Sequence, residues 1–518
     1  MGDHSPPMSD ETRKEPALPP AGAAAVVNDE STLHALGYAQ ELLRRMSGFS
    51  NFAISLSIIC ILAGGITSFQ VGYGSVGGAS IGIGWPLSCL FSLVVAATMA
   101  QVASAFPTAG GLYHWASILG GRGFGWITAW FNLLGLVTVL AAINVGNYLF
   151  VVGSLGKVLG LDPAALGPGG AIALQAGCVV AITGSQALIN HLGIGLTSRL
   201  TDFSGYWILG VAAALTAALL FFAPHLDASR LWTFVNNSGA PGGKIWPETK
   251  SLGWLFLLGF LLPAYTITGF DASAHTSEET VSASINVPRG IVRSVLVSGL
   301  FGWAMLSAVV LAAPDPIAAA AAGESAFTFI VNSVLPRGLA IALFVGIALA
   351  QYLCGLATVT SASRMAYAFA RDGGLPFSKH LRRVSPRFRT PAAAVWSTAI
   401  FSVAFTLYAR VYTTIAAVCV IFLYLSYVLP TALGFVAHGR TWTAMGPFTL
   451  GRWYRPLAAL AVIGCLVLLV IGVQPPNDQA LWIVLGCFGV AAVIWFGVER
   501  RRFVGPPVMS ARRGEPKG

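Results

Sequence analysis

Stretches of about 20 apolar residues recur along almost the whole chain, and few folds are open to such a pattern. In a bilayer every backbone amide and carbonyl must find a partner within the protein, so each stretch reads as a transmembrane α-helix. Twelve are expected, near 49–75, 84–106, 123–152, 170–190, 199–222, 252–276, 289–313, 339–365, 391–409, 411–437, 455–473 and 480–498. A hydrophobic share of 55%, against 10% charged residues, exceeds what a soluble core in a chain of 518 residues requires. The fold class is all-α and polytopic, with the lipid bilayer as its surroundings.

The net charge of +10 invites comparison with nucleic-acid binders, but the basic residues are sorted by loop. Alternate loops hold Arg44, Arg122, Arg199, Arg289, Arg364, Arg371 and the run Arg500 to Arg502. The opposite loops hold Lys157, Arg230, Lys244, Lys250, Arg337 and Arg410. Positively charged loops stay on the cytoplasmic side, so the expectation is cytoplasmic termini and no nucleic-acid partner. All seven cysteines fall inside expected spans and read as reduced packing residues. Residues 1–46 are polar and rich in Pro and Ala, without the pattern of a cleavable signal, so the first span is expected to serve as an uncleaved insertion signal. Within them, Thr32–Met46 reads as a short amphipathic helix on the cytoplasmic face.

One span is interrupted. The run from Ser251 to Phe270 breaks at Thr268-Gly269 and delivers Asp271 to roughly mid-membrane depth. A charge there costs on the order of 2.5–3.5 kcal/mol, so it faces an internal cavity or a partner. The first span has a comparable weak point at Ala63-Gly64-Gly65. Two interrupted helices five spans apart are the mark of inverted repeats in secondary transporters. The expected organisation is a tail (1–46), a first repeat (47–222), a second repeat (252–437), two added helices (455–498) and a C-terminal tail (499–518).

Four motifs stand at span boundaries: SAFPTAGGLYHWAS (104–117), GFDASAHTSEE (269–279) with its following INVPRGI, SASRMAYAFARDGGLPFS (361–378) and GPFTLGRWYRP (446–456). Read as residues, Pro107 and Gly110-Gly111 turn the chain, while Arg364 and Arg371 share one face of a helix end. Asp372 stands ready to pair with a neighbouring arginine, and a role in gating or folding suits these loops. Together the motifs resemble the amino acid–polyamine–organocation permeases, and most nearly their amino acid/choline transporter branch. The likeness runs from about Gly37 to Arg502. It implies a five-plus-five inverted repeat with discontinuous helices 1 and 6, and an amino acid or small amine as substrate.

Candidate site residues follow from the breaks. Amides around Ala63, Gly64 and Gly65 lose their helical partners and suit a substrate carboxylate. The family usually carries Gly-x-Gly here, and Ala63 departs from it. Carbonyls near Tyr265, Thr268 and Gly269 suit a substrate amine, with Tyr265 and Phe270 as aromatic covers and cation–π partners. Asn144 in the third span, with Asn132 and Asn147, either lines the cavity or bonds between helices.

Asp271 has three open readings: a proton site, a counter-charge for an amine, or a structural hydrogen-bonded acid. His275, four residues on, stands on the same helical face as a relay or a packed ring. In the eighth span Thr358, Thr360 and Ser361 offer oxygens of the kind Na⁺ accepts, or else bond back to helix carbonyls. No lysine occurs in the fifth span, which tilts the coupling ion toward Na⁺ over a lysine mechanism; proton coupling at Asp271 and exchange without an ion stay open. The motifs call for no cofactor and no firm metal site, only possible Na⁺ near Thr360 and Ser361. No nucleophile–base pair lies within the spans, so an enzyme is not expected, and a non-transporting receptor is the other-class alternative. Compact loops and short termini suit a bacterial inner membrane. The sequence sets no oligomeric state.

Overall fold

In a computed structural model, residues 29–408 and 412–507 are described. Expectations for the tails before 29 and after 507, and for the end of the ninth span, lie outside them. Among the described residues helices carry the fold, and the sole β-type pairings are isolated bridges between Met46 and Thr280 and between His438 and Trp442. Ten helices are long and apolar enough to cross a membrane. Two shorter apolar helices, Leu252–Thr266 and Ala392–Leu407, occupy the sixth and ninth positions, so the twelve expected segments are all found.

Burial sorts the spans into layers. In the first and third spans, 89% and 83% of the most apolar window is buried, against 11% in the last. The last span is therefore peripheral, the first, third and tenth lie nearest the centre of the bundle, and the seventh and eighth, each 61% buried, pack around them. The third span runs Arg122–Leu159, 38 residues where about 30 were expected. At 1.5 Å per residue that is roughly 57 Å, so it projects beyond the hydrocarbon on at least one side.

Both expected interruptions are present. The first span is helical over Gly48–Ile59, turns through Cys60–Ala63, and resumes as Gly64–Thr67 and Phe69–Val76. The sixth is helical to Thr266, opens across Ile267–Asp271, and resumes as Ala272–His275. Gly269 at the opening has φ +86°, a conformation that glycine adopts freely.

The segment ahead of the first span departs from expectation. Helix covers 29–35 only, and beyond Gly37, at φ +87°, the chain runs on without helix. Besides a bond from Gln40 to the carbonyl of Leu42 within the segment, its polar groups are drawn to the chain that follows the sixth span. Arg44 donates to the carbonyls of Ser277 and Thr280, Gln40 to that of Glu278, and the amides of Arg45 and Met46 to that of Glu279. Buried Leu33, Tyr38, Leu42 and Met46 seat this strap against the bundle.

Candidate functional site between the broken helices

The two breaks face one another. A Cβ built on Gly64 would lie 2.8 Å from the Cα of Thr266, closer than side chains ever approach backbone, whereas one on Gly65 would meet only ordinary contacts at 3.7 Å and beyond. The amides of Ala63 and Gly64 turn back to the carbonyl of Cys60, and that of Thr67 to Ala63. Among the described residues no backbone acceptor pairs with the amides of Gly65 and Ile66. They are the orphan donors of the resumed half-helix. From the eighth span Gln351 donates to the carbonyl of Leu62 at 3.0 Å, and its own Oε1 is buried without a partner.

On the sixth span, Thr268 Oγ1 donates to the carbonyl of Tyr265 at 2.9 Å, and the Gly269 amide donates to Tyr427 Oη at 3.1 Å. Phe270 is fully buried with its ring 5.0 Å from that of Tyr427. The Tyr265 ring stands edge-on to Tyr412 at 6.4 Å. Tyr412 and Thr67 join their hydroxyls at 2.7 Å, across a recess of about 180 Å³ that also touches Ile66, Gln70, Phe150 and Glu324. One end of the bundle thus holds a hollow reaching the first break.

Asp271 is buried and amply solvated by protein. Its Oδ1 accepts from Tyr427 Oη at 2.8 Å, and its Oδ2 from Asn132 Nδ2 at 2.9 Å. His275 Nε2 stands 3.1 Å from the same Oδ2, and His275 Nδ1 stands 3.2 Å from the carbonyl oxygen of Ala109. Ser55 ties the halves together: its hydroxyl meets the Phe270 carbonyl, and the Ser273 amide donates to it.

The opposite end is shut by charge. Arg364 grips Glu279 through two bonds of 3.0 and 3.1 Å, both side chains fully buried. Arg371 grips Glu278 at 2.8 and 2.9 Å and lies 3.9 Å over the Tyr38 ring. Asp372 accepts from Tyr38 and Tyr113, each at 2.7 Å, and not from an arginine as expected. Both arginine forks are already filled by the two glutamates. Burial drives the Asp372 carboxyl above its ordinary value, and Arg371 with the two tyrosines draws it partly back.

Other sequence candidates fall elsewhere. Asn144 exchanges hydrogen bonds with Gln186 and donates to Thr183, in the contact among the third, fourth and eighth spans. Thr358 donates to the carbonyl of Cys354, and Thr360 to Asn190 Oδ1 and the carbonyl of Leu356. Ser361 Oγ alone of the three is buried without a partner. Among the described residues no three His, Cys, Asp or Glu side chains gather as they would around a metal ion.

Tyr427, Gln351 and Ala109 have no counterpart in the sequence reading. The two tyrosines of the tenth span, Tyr424 and Tyr427, look like ordinary aromatic packing, and Ala109 contributes only backbone.

Helices broken opposite one another around a buried acid define a multi-pass membrane solute carrier. The chain belongs to the amino acid permease family, whose model matches residues 46–496. It is 32% identical to the amino-acid permease BAT1 of Arabidopsis thaliana, over 92% of this chain and 95% of that one. A homologue of that permease from Oryza sativa is 33% identical over 85% and 86%. The GABA-specific permease of Saccharomyces cerevisiae is 28% identical over 88% and 80%. Membership places it within the amino acid–polyamine–organocation superfamily, as an integral membrane transporter of amino acids and not an enzyme.

Proposed function

We propose that this permease moves an amino acid or related small amine by ion-coupled alternating access about the two breaks, and that the ion is a proton held at Asp271. The observation that carries the reading is a fully buried carboxylate at the helix opening, with Tyr427, Asn132 and His275 ranged on its two oxygens. The free amides of Gly65 and Ile66, just past Ala63 and Gly64, suit the substrate carboxylate. Carbonyls freed between Tyr265 and Gly269 suit its amine, under cover of Tyr265 and Phe270. Asn144, locked to Gln186, forms wall rather than contact.

Sodium at the eighth span is the second reading: Thr358 and Thr360 keep lone pairs for a cation while donating their protons, and Ser361 Oγ is unpartnered, but among the described residues no carboxylate is hydrogen-bonded to these hydroxyls. The arginine-bearing loops support cytoplasmic termini, so the end closed by Arg364 and Arg371 faces the cytoplasm and the recess at Tyr412 faces out. The relatives named above are plant and yeast proteins and lend no support to a bacterial membrane. The division into inverted halves, 47–222 and 252–437, with 455–498 as added helices, belongs to the same reading.

The test is uptake of labelled 4-aminobutyrate, choline, lysine, glutamate and putrescine into proteoliposomes, with pH and Na⁺ gradients imposed separately. Accumulation under an inward proton gradient is expected. Accumulation under Na⁺ alone moves the ion away from Asp271. Movement only into preloaded vesicles replaces coupling with exchange.

A further inference from the structure

His275 is buried with an oxygen acceptor at each ring nitrogen: the carboxylate of Asp271 at Nε2 and the carbonyl of Ala109 at Nδ1. A neutral imidazole has one N–H and one lone pair, so it satisfies one of these oxygens and turns a lone pair toward the other. Both contacts hold only if the pair carries one further proton, as imidazolium with carboxylate or as imidazole with carboxylic acid. Removing that proton forces one contact apart, since a neutral imidazole has no second N–H to offer.

The carbonyl that reads this proton belongs to a residue whose amide reads the gate. Ala109 N donates to Glu278 Oε1 at 3.1 Å, and the same oxygen meets Arg371 at 2.8 Å. The surrounding loop is fitted to the ring. Gly111, at φ +46°, passes so near that a Cβ there would lie 3.3 Å from the His275 ring. Among the described residues, Tyr427 from the tenth span is the further titratable group that meets the pair. The first span turns Asn51 and Ser55 toward this half of the sixth helix, and the third turns Asn132 to Asp271. Beyond the loop lie Tyr113 and His114, and beyond Glu278 and Glu279 lie Arg371 and Arg364.

We infer that Asp271 and His275 bind one proton as a unit, and that the Ala109 peptide transmits its departure to the Glu278–Arg371 ion pair closing the cytoplasmic end. This rests on the proton reading above. His275 acts as a positioning residue between ion and gate. In the loaded state the chain Asp271, His275, Ala109, Glu278, Arg371 is continuous. When the proton leaves to water, the remaining N–H of His275 stays on the charged Asp271 carboxylate, the stronger acceptor, and His275 lets go of the Ala109 carbonyl, so the loop is freed from one of its two anchors. No other bond is made or broken. The SAFPTAGG loop, read from sequence as a turn, becomes the joint through which the ion site works the gate.

Two measurements test this. Hydrogen exchange across 106–112 of the purified protein, corrected for the intrinsic pH dependence, should lose protection by about tenfold or more in one step as pH rises. In His275→Gln, whose amide does not titrate, that step should vanish. In proteoliposomes the same variant should carry protons and solute in a ratio about fivefold or more below wild type. Protection independent of pH in the wild type, or a variant with the wild-type step and ratio, overturns the inference while leaving proton coupling intact. Wild-type solute movement without protons overturns both. If the wild type moves none of the five solutes, the transport reading fails, and the exchange step in the wild type still decides the link.

Discussion

A methyl group on Gly64 would lie 2.8 Å from the Cα of Thr266, so the two helix breaks touch backbone to backbone. Neither side has a flexible atom to give way. Gly64→Ala should therefore cost roughly 1–3 kcal/mol through overpacking and pull the half-helices out of register. Uptake in proteoliposomes should fall by about tenfold or more, consistent with displacement, by a fraction of an ångström, of the amides proposed to hold the substrate carboxylate. Gly65→Ala, with its nearest neighbours at 3.7 Å, should stay within about 1 kcal/mol of the parent in thermal unfolding. Equal loss in both variants would contradict the packing account.

The gate makes a prediction of its own. Arg364 and Glu279 are fully buried and doubly bonded, so removing one partner strands a charge. Glu279→Gln should destabilise the purified protein by about 3–5 kcal/mol, and Arg364→Met likewise. Combining Arg364→Met with Glu279→Met should recover much of that loss, because no unpaired charge remains. A double variant as unstable as the sum of the singles would show that the pair does not act as a unit.

Thr360 separates the ion readings. Its hydroxyl donates to Asn190 and to the carbonyl of Leu356, so Thr360→Val should cost about 1 kcal/mol of stability. Uptake driven by pH should keep its dependence on external Na⁺ unchanged. A lost or shifted Na⁺ dependence would return the coupling site to the eighth span.

His114, in the loop helix Leu112–Gly120, supplies a pH dependence of stability. Burial, reinforced by Arg371, lowers its value from 6.5 to about 3. A base whose folded value is depressed is stabilising above its unfolded value. That contribution fades as pH falls from 6.5 toward 3. At pH 5 the loss is about 2 kcal/mol relative to neutral pH. Thermal unfolding of His114→Gln should show a shallower acid limb than the parent, and an unchanged limb would remove His114 from the account.

The sequence announces the architecture more fully than the site. Apolar run length fixes twelve crossings because bilayer thickness leaves little choice of helix length. Both breaks are legible, since Gly64-Gly65 and Thr268-Gly269 interrupt apolar runs where an interruption needs a reason. Asp271 stands out for the same cause. Its partners do not: Tyr427 comes from 156 residues away, and an aromatic in an apolar helix carries no mark of its duty. Asn132 is visible as a polar residue in the third span, but that it meets Asp271 depends on helix packing. Arg364 and Arg371 are recognisable as a pair on one face, while their glutamates lie in another motif, and Asp372 is the tempting but wrong partner. Ala109 is beyond reach of any side-chain reading, because its contribution is one amide and one carbonyl.

The most direct test of the central claim is pH-driven accumulation by Asp271→Asn in proteoliposomes, at matched protein content and thermal stability, with the solute that the wild type concentrates. Asparagine keeps the shape at the helix opening but cannot load and release a proton. In this variant an inward proton gradient is expected no longer to raise internal solute above the external level. Accumulation at the wild-type level would contradict proton coupling at Asp271.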